Sequence, residues 1–309
     1  MKQVQPSPMS GRCATRRASA CWTVRFRGPS RLASRLVVAI VLLVSQWSVL
    51  RPAAQEPAQA RVTLTPAAME DFLLRARIVR TRAAGSGVTN SIRATLSDGT
   101  VTHDAQIQTV DQSKPIFRPT GAPPEFNFTD SYRFNVAGYK LAVLLGLDNV
   151  PVSVERNYNS RRAAFTWWID DVMMDEKARV SKSALGPDRE RTAMQLHIMR
   201  VFDELVQNRD RNMGNLLWTT DWKMWLIDHT RAFRTGDELL KPDVLERIER
   251  SLFQNIRGLT EDGLEKAMGR SLADFEIEAL LKRRDRIVKL FEARIAERGE
   301  ARVLYTLPR

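Results

Sequence analysis

Cysteine and histidine are scarce in this chain: two and three, respectively, in 309 residues. Both cysteines, Cys13 and Cys21, precede the one long apolar run, residues 36–50. If the segment up to residue 60 is removed, no thiol remains, which excludes disulfides, thiolate metal sites and cysteine nucleophiles from the rest. His103, His197 and His229 are scattered, without metal-ligand spacing. No G-x-S-x-G, H-E-x-x-H or Walker A motif occurs, so hydrolase, metalloprotease and P-loop readings lack support. There is no internal repeat, and no low-complexity tract after residue 60. With 43% hydrophobic and 27% charged residues, the composition excludes a disordered chain, a collagen and a coiled-coil rod.

The formal charge of +12 suggests a nucleic-acid binder until it is located. Residues 1–60 hold nine Lys or Arg and one acid, Glu56, a balance of +8 that leaves only +4 for residues 61–309. Nucleic acid is therefore not expected as a partner. The run LVVAIVLLVSQWSVL (36–50) is short for a membrane span, which needs about 20 residues, and suits the core of a signal peptide. A basic lead precedes it, and AAQEPAQA, suited to cleavage near Ala58–Ala60, follows. Residues 1–60 thus read as an export signal. Left uncleaved, they would be a membrane tether that places residues 61–309 outside. The alternative is a translation start further along the chain.

The periodicity then predicts a short helix over 66–77 and three strand-like runs, 78–85, 91–99 and 102–110. Ser97-Asp98-Gly99-Thr100 is a hairpin turn signal. Residues 111–128, rich in Pro, Gly and Phe, read as a loop. A helix over 129–146 carries Phe134, Ala137, Leu141, Leu144 and Leu145 on one side and stops at Gly146. Two more strands follow, VPVSVER and AAFTWWI. From about 188 the chain is mainly helical, with one strand pair at 216–227. Leu280, Ile287, Phe291 and Ile295 form an apolar stripe near the end, with Lys282-Arg283-Arg284 read as a solvated face. The layout is α+β in two lobes: a small β-rich lobe over about 78–170, then a helical lobe over about 171–297.

The chemistry concentrates in Val201–Arg234. A helix with Met194, Ile198, Phe202 and Leu205 on its apolar face ends at the polar cluster NRDRNMGN. An apolar hairpin then leads into Asp228. In such a hairpin the start of the first strand lies beside the end of the second, so Asn215 faces Asp228 at the end where Asp210 stands. Two oxygen ligands beside a third carboxylate suit Mg²⁺ bound with a polyphosphate, since magnesium takes one or two protein oxygens plus phosphates. Asp210 and Asn215 have the D-x-x-x-x-N spacing of a kinase catalytic loop, with Asp228 in the place of the second metal-binding Asp. Asp210 would orient or deprotonate an attacking hydroxyl, and Asn215 and Asp228 would hold the metal. Any one of these residues alone reads more simply as a helix cap or turn. Three in order around an apolar hairpin do not.

Two blocks, FDELVQNRDRNMGN (202–215) and IDHTRAF (227–233), resemble the atypical kinase group of type II phosphatidylinositol 4-kinases, HipA-like kinases and secretory-pathway protein kinases. VAGYKLAVLLGLDNVP (136–151) is similar to that group's helix followed by L-G-x-x-x-V-P. The resemblance implies a bilobal kinase-like fold, Mg-ATP between the lobes, and Asp210, Asn215 and Asp228 in the roles above. It implies a phosphotransferase acting on a hydroxyl of a protein, lipid or sugar. The alternatives are an inactive binding module on the same fold, or transfer of AMP.

The first lobe departs from the group's pattern. Gly85 and Gly87 read equally as a phosphate cradle and as an ordinary turn. A kinase needs a cation on the nucleotide phosphates, usually a Lys paired with a helical Glu. Here the third strand offers Gln106 and Gln108, and the helix carries Asn135. Lys114, just beyond that strand, is the candidate phosphate contact and reads equally as a solvated loop lysine. Glu125 and Asp130 are nearby acids. Trp167 and Trp168 fall at the crossing between lobes, as core or as an adenine wall. Asp170, Asp171, Met173, Met174 and Asp175 read as a solvated loop or a second ligand cluster.

Overall fold

The computed structural model describes residues 64–84, 91–119, 121 and 123–308. Gly85, Gly87 and the apolar run 36–50 lie outside the described residues. Ala60–Arg309 form one compact unit.

Helix α1 (Pro66–Arg75) starts where Thr65 accepts from Ala68 N and Pro66 supplies a preset φ. A five-stranded antiparallel sheet follows, with β1 (Arg77–Ala83), β2 (Ile92–Ser97), β3 (Thr102–Gln108), β7 (Arg161–Trp167) and β6 (Ser153–Tyr158) in that spatial order. The β2–β3 turn forms as expected: Asp98 Oδ1 accepts from Thr100 N and Val101 N, and Gly99 takes φ 96°. Alternation puts Ala94, Leu96, Ala105 and Ile107 inward. They join Phe72 and Leu73 of α1 and Phe134, Ala137 and Leu141 of α2 (Arg133–Leu144) in one core. Leu144 departs from its predicted side and is 39% exposed, whereas Gly146 (φ 70°) ends the helix as expected.

Residues 111–128, expected as a loop, contain strands. β4 (Asp111–Phe117) and β5 (Glu125–Ser131) form an antiparallel ribbon of their own. Lys114 pairs with Phe128 and Ile116 with Phe126, so Pro115 falls opposite Asn127, which adopts φ 50°. A two-stranded ribbon has only edges, and there a proline interrupts no inner ladder.

The helical lobe opens with β8 (Val172–Asp175) and α3 (Glu176–Ser181), then α4 (Arg189–Val206). Met194, Ile198, Phe202 and Leu205 are all buried, as the spacing predicts. The hairpin β9 (Leu216–Thr219) and β10 (Met224–Leu226) joins β8 in a three-stranded sheet. β11 (Ile248–Glu249), α5 (Arg250–Arg257), α6 (Glu261–Met268), α7 (Asp274–Arg298), α8 (Glu300–Val303) and β12 (Leu304–Tyr305) complete the lobe. Leu280, Ile287 and Phe291 of α7 are buried; Ile295 is half-buried.

Arg283 is not on a solvated face. It stands three residues after Leu280 and four before Ile287, on the same helical side, and is fully buried. Its guanidinium donates to Leu205 O (2.8 Å), Arg234 O (2.8 Å) and Gly236 O, and burial lowers its pKa to about 10. Lys282 does face solvent, paired with Glu278. Among the described residues no helix is long and apolar enough to cross a membrane.

Candidate active site

Helix α4 ends at Gln207 in the left-handed conformation (φ 48°), which turns the chain sharply into the polar cluster. Asn208 Oδ1 accepts from Asp210 N at 3.0 Å, and Asn212 caps a short 3₁₀ turn, Met213–Asn215. Asn215 Nδ2 points to Asp210 O at 3.4 Å; a carbonyl only accepts, so the Asn215 Oδ1 is turned elsewhere. Ile227 N donates to Asn215 O at 3.1 Å, which extends the β9–β10 register by one step, so Ile227 rather than Asp228 stands opposite Asn215 and Asp228 follows one residue beyond it. Asp228 has φ 55°, a conformation that Asp tolerates better than most residues. Its Oδ1 accepts from Thr230 Oγ1 at 3.0 Å.

Asp210, Asn215 and Asp228 thus meet at one end of the hairpin. Burial raises the Asp210 carboxyl above its ordinary range; the Arg231 guanidinium, 3.7 Å away, opposes this, while Asp228 and Glu125 add to it. Burial and Asp228 likewise raise Asp130 on β5, against a hydrogen bond from Thr230. Asp130 Oδ1 has no hydrogen-bond partner among the described residues. These are hard oxygen donors beside an unpaired buried acceptor, a set that fits a divalent cation of the magnesium kind. Among the described residues no group of three His, Cys, Asp or Glu side chains is arranged to enclose a metal. A cation here would therefore rest on few protein oxygens and draw the rest from water or phosphate.

Arg211 and Asp203, which sequence reasoning did not single out, hold this geometry together with His229, whose place beside Asp228 reads from the sequence either as tuning a metal site or as packing. Arg211 donates to the buried Asp203 of α4 (2.9 Å), to Asn215 O (3.0 Å) and to Ile227 O (2.6 Å). It also lies 2.9 Å from His229 Nε2. Burial pushes Asp203 up, opposed by Arg211. Burial and Arg211 hold His229 well below its ordinary value, so the ring is neutral and its Nε2 accepts. The two side-chain partners of Arg211 were visible in the two motif blocks, as the Asp of F-D-x-L and the His after Asp228. Gly138 lets α2 approach that histidine: a Cβ there would lie 3.2 Å from His229 Cγ.

Asn135 joins the lobes. It is 5% exposed and accepts from His229 N at 2.7 Å through Oδ1. Its Nδ2 donates to Gln108 Oε1 of β3. A neutral amide pair thus occupies the strand–helix position where a Lys–Glu pair was sought. Gln108 is 3% exposed, and its Nε2 has no hydrogen-bond partner among the described residues. Leaving such a donor unpaired costs about 1–3 kcal/mol.

Lys114 shares the Phe128 ring with Arg231, the guanidinium beside Asp210. It is exposed on β4, its ammonium 5.3 Å from the Phe117 ring and 5.9 Å from Phe128. Glu125 instead bridges Arg231 and Arg234, tying the ribbon to the segment after Asp228. Trp167 stacks on His103 at 3.7 Å and meets Phe72 edge-on, while Trp168 lies under Arg93 at 4.1 Å. The acids at 170–175 have structural partners: Asp170 bonds His103 at 2.8 Å, and Asp175 caps α3.

No protein-family model and no curated protein sequence matches the chain. Solved structures do. A structure of hydra Fam20 with sugar aligns over 80% of this chain and 94% of its own, with TM-score 0.61 at 13% identity. The fold is that of the atypical kinases. The Golgi casein kinase shares this kinase fold over 78% of the present chain and 79% of its own (TM-score 0.55, 15% identity). Its Mn/ADP-bound structure gives TM-score 0.56 at 14% identity, over 79% and 80% of the two chains. The expected bilobal kinase-like architecture is therefore present, a strand-rich lobe followed by a helical one.

Proposed function

We propose that this chain is an exported, kinase-like phosphotransferase that uses Mg-ATP and modifies a hydroxyl on a protein, lipid or sugar. The observation that carries this reading is the meeting of Asp210, Asn215 and Asp228 at one end of the β9–β10 hairpin within a kinase fold. The Golgi casein kinase binds Mn/ADP, which supports nucleotide and divalent metal as the cofactors here. Asn215 Oδ1 and Asp228 are the residues that would hold the metal, whose chemistry is to neutralise charge on the transferring phosphoryl group. Asp210, half-buried with a raised pKa, accepts the proton of the attacking hydroxyl and fixes its direction. Arg231 beside it opposes the upward push of burial and of two neighbouring acids.

Export is supported by the basic lead, the apolar run and the small residues of 1–60. An uncleaved segment 36–50 would make the protein a membrane-tethered one. The neutral Gln108–Asn135 pair favours a second reading, a nucleotide-binding protein that does not transfer phosphate.

Thermal unfolding with and without Mg-ATP separates these. Nucleotide at 100 times its Kd adds about 2.7 kcal/mol, a rise of several degrees at this size. Asp228→Asn, which keeps the left-handed backbone accessible, is expected to lose the rise. Asp210→Asn is expected to keep the rise and lose phosphoryl transfer. Transfer that survives in Asp210→Asn rules out the assigned base, and a wild-type protein that shifts but never transfers favours the second reading.

A further inference from the structure

The hydrogen bonds around Asn135 fix which way two amides point. His229 N can only donate, so the Asn135 atom 2.7 Å from it is Oδ1. Asn135 Nδ2 then faces β3, and the Gln108 atom that receives it must be the acceptor, Oε1. The Gln108 NH2 is consequently turned away from Asn135. It is buried with the residue at 3% exposure and meets no acceptor among the described residues. Gln108 ends β3, in register with Ala164 of β7, at the junction of the lobes. Two hydrogen bonds connect it to His229, the residue after Asp228.

We propose that Gln108 receives the nucleotide's phosphates: its amide NH2, oriented by Asn135, donates to a phosphate oxygen in the place where a kinase ordinarily uses lysine. This rests on the reading above that the protein uses Mg-ATP. A buried, oriented donor without an acceptor suits an anionic oxygen, and a polyphosphate carries many. The amide brings hydrogen bonds but no charge. Compensation of the phosphates therefore falls to the divalent cation on Asn215 and Asp228, and the protein takes the metal complex of the nucleotide in preference to the free nucleotide. Asn135 is a positioning residue: it engages the glutamine Oε1 and leaves the buried NH2 without an acceptor among the described residues.

Calorimetric titration of ADP into the full-length protein, with Mg²⁺ and with EDTA, tests this without any assay of turnover. Gln108→Glu keeps an oxygen for Asn135 and puts a carboxylate oxygen where the NH2 stood. It is expected to weaken Mg-ADP by about tenfold or more, the loss of a hydrogen bond to a charged group. Gln108→Met, similar in length and uncharged, is expected to lose a comparable factor. The unfolding temperature of each variant without nucleotide reports that it is folded. Wild-type binding is expected with Mg²⁺ and to vanish in EDTA. If Asp228→Asn abolishes binding while both Gln108 variants stay within about twofold of wild type, the nucleotide site stands and the glutamine's role falls. A loss confined to Lys114→Met gives the contact to the lysine and overturns the proposal. A wild-type protein that binds no ADP overturns it together with the functional reading.

Discussion

Arg211 reaches four partners on three stretches of chain: Asp203 on α4, the Asn215 and Ile227 carbonyls, and the His229 ring. Its removal leaves the buried Asp203 carboxylate without a counter-ion. Arg211→Ala is therefore expected to cost about 3–5 kcal/mol, on the order of 10 °C for a chain of this size, as read by thermal unfolding. A fall of a degree or two would show that the pair contributes little. His229 adds a pH dependence whose sign is fixed by burial. Its folded pKa lies well below 6.5, so as pH falls the unfolded chain takes the proton first. The histidine's contribution is thus complete above 6.5 and declines below it, at no more than about 1.4 kcal/mol per pH unit. Carboxyls raised by burial, such as Asp203 and Glu204, act in the opposite sense at lower pH, because their folded forms protonate first. The difference between wild type and His229→Gln isolates the histidine: the two urea-unfolding curves against pH should diverge between pH 7 and 5. Parallel curves would show that the ring is not the neutral acceptor assigned here.

Among the elements, the β4–β5 ribbon was the least legible in the sequence. Pro115, inside β4, read as loop because propensity cannot see that a ribbon lacking a third strand accommodates proline, whereas Pro119, Pro123 and Pro124 do fall in the connection between the strands. What holds the ribbon is also remote in sequence. Glu125 meets Arg231 and Arg234, Arg234 donates to the Phe126 and Thr129 carbonyls, and Ser131 N donates to Thr230 O. Glu125→Gln removes the charge opposite two arginines while keeping an acceptor. Amide exchange across 111–131 is expected to accelerate at least about tenfold, equivalent to ~1.4 kcal/mol, with β2 and β7 unaffected. Unchanged exchange would mean the backbone bonds alone hold the ribbon. The helices were easier. α4 announced itself because its apolar spacing and polar terminus agree; Arg283 on α7 was misplaced because a charge triplet outweighed a helical period that put position 283 inside.

For the whole molecule, the order of strands followed by helices was enough to expect two lobes, and the motif blocks were enough to expect Asp210, Asn215 and Asp228 at one place. The connection between the lobes was not legible. Asn135 and Gln108 stood in the sequence as residues where a glutamate and a lysine were missing, and only the fold shows them bonded to each other and to the segment after Asp228. The nature of that connection has a consequence of its own. Neither amide titrates, and counter-ions in solution have no charge there to screen. That link taken by itself is accordingly the same in brine as in dilute buffer, and any salt or acid dependence at the junction comes from its charged and titrating neighbours, His229 and the Glu125 bridges.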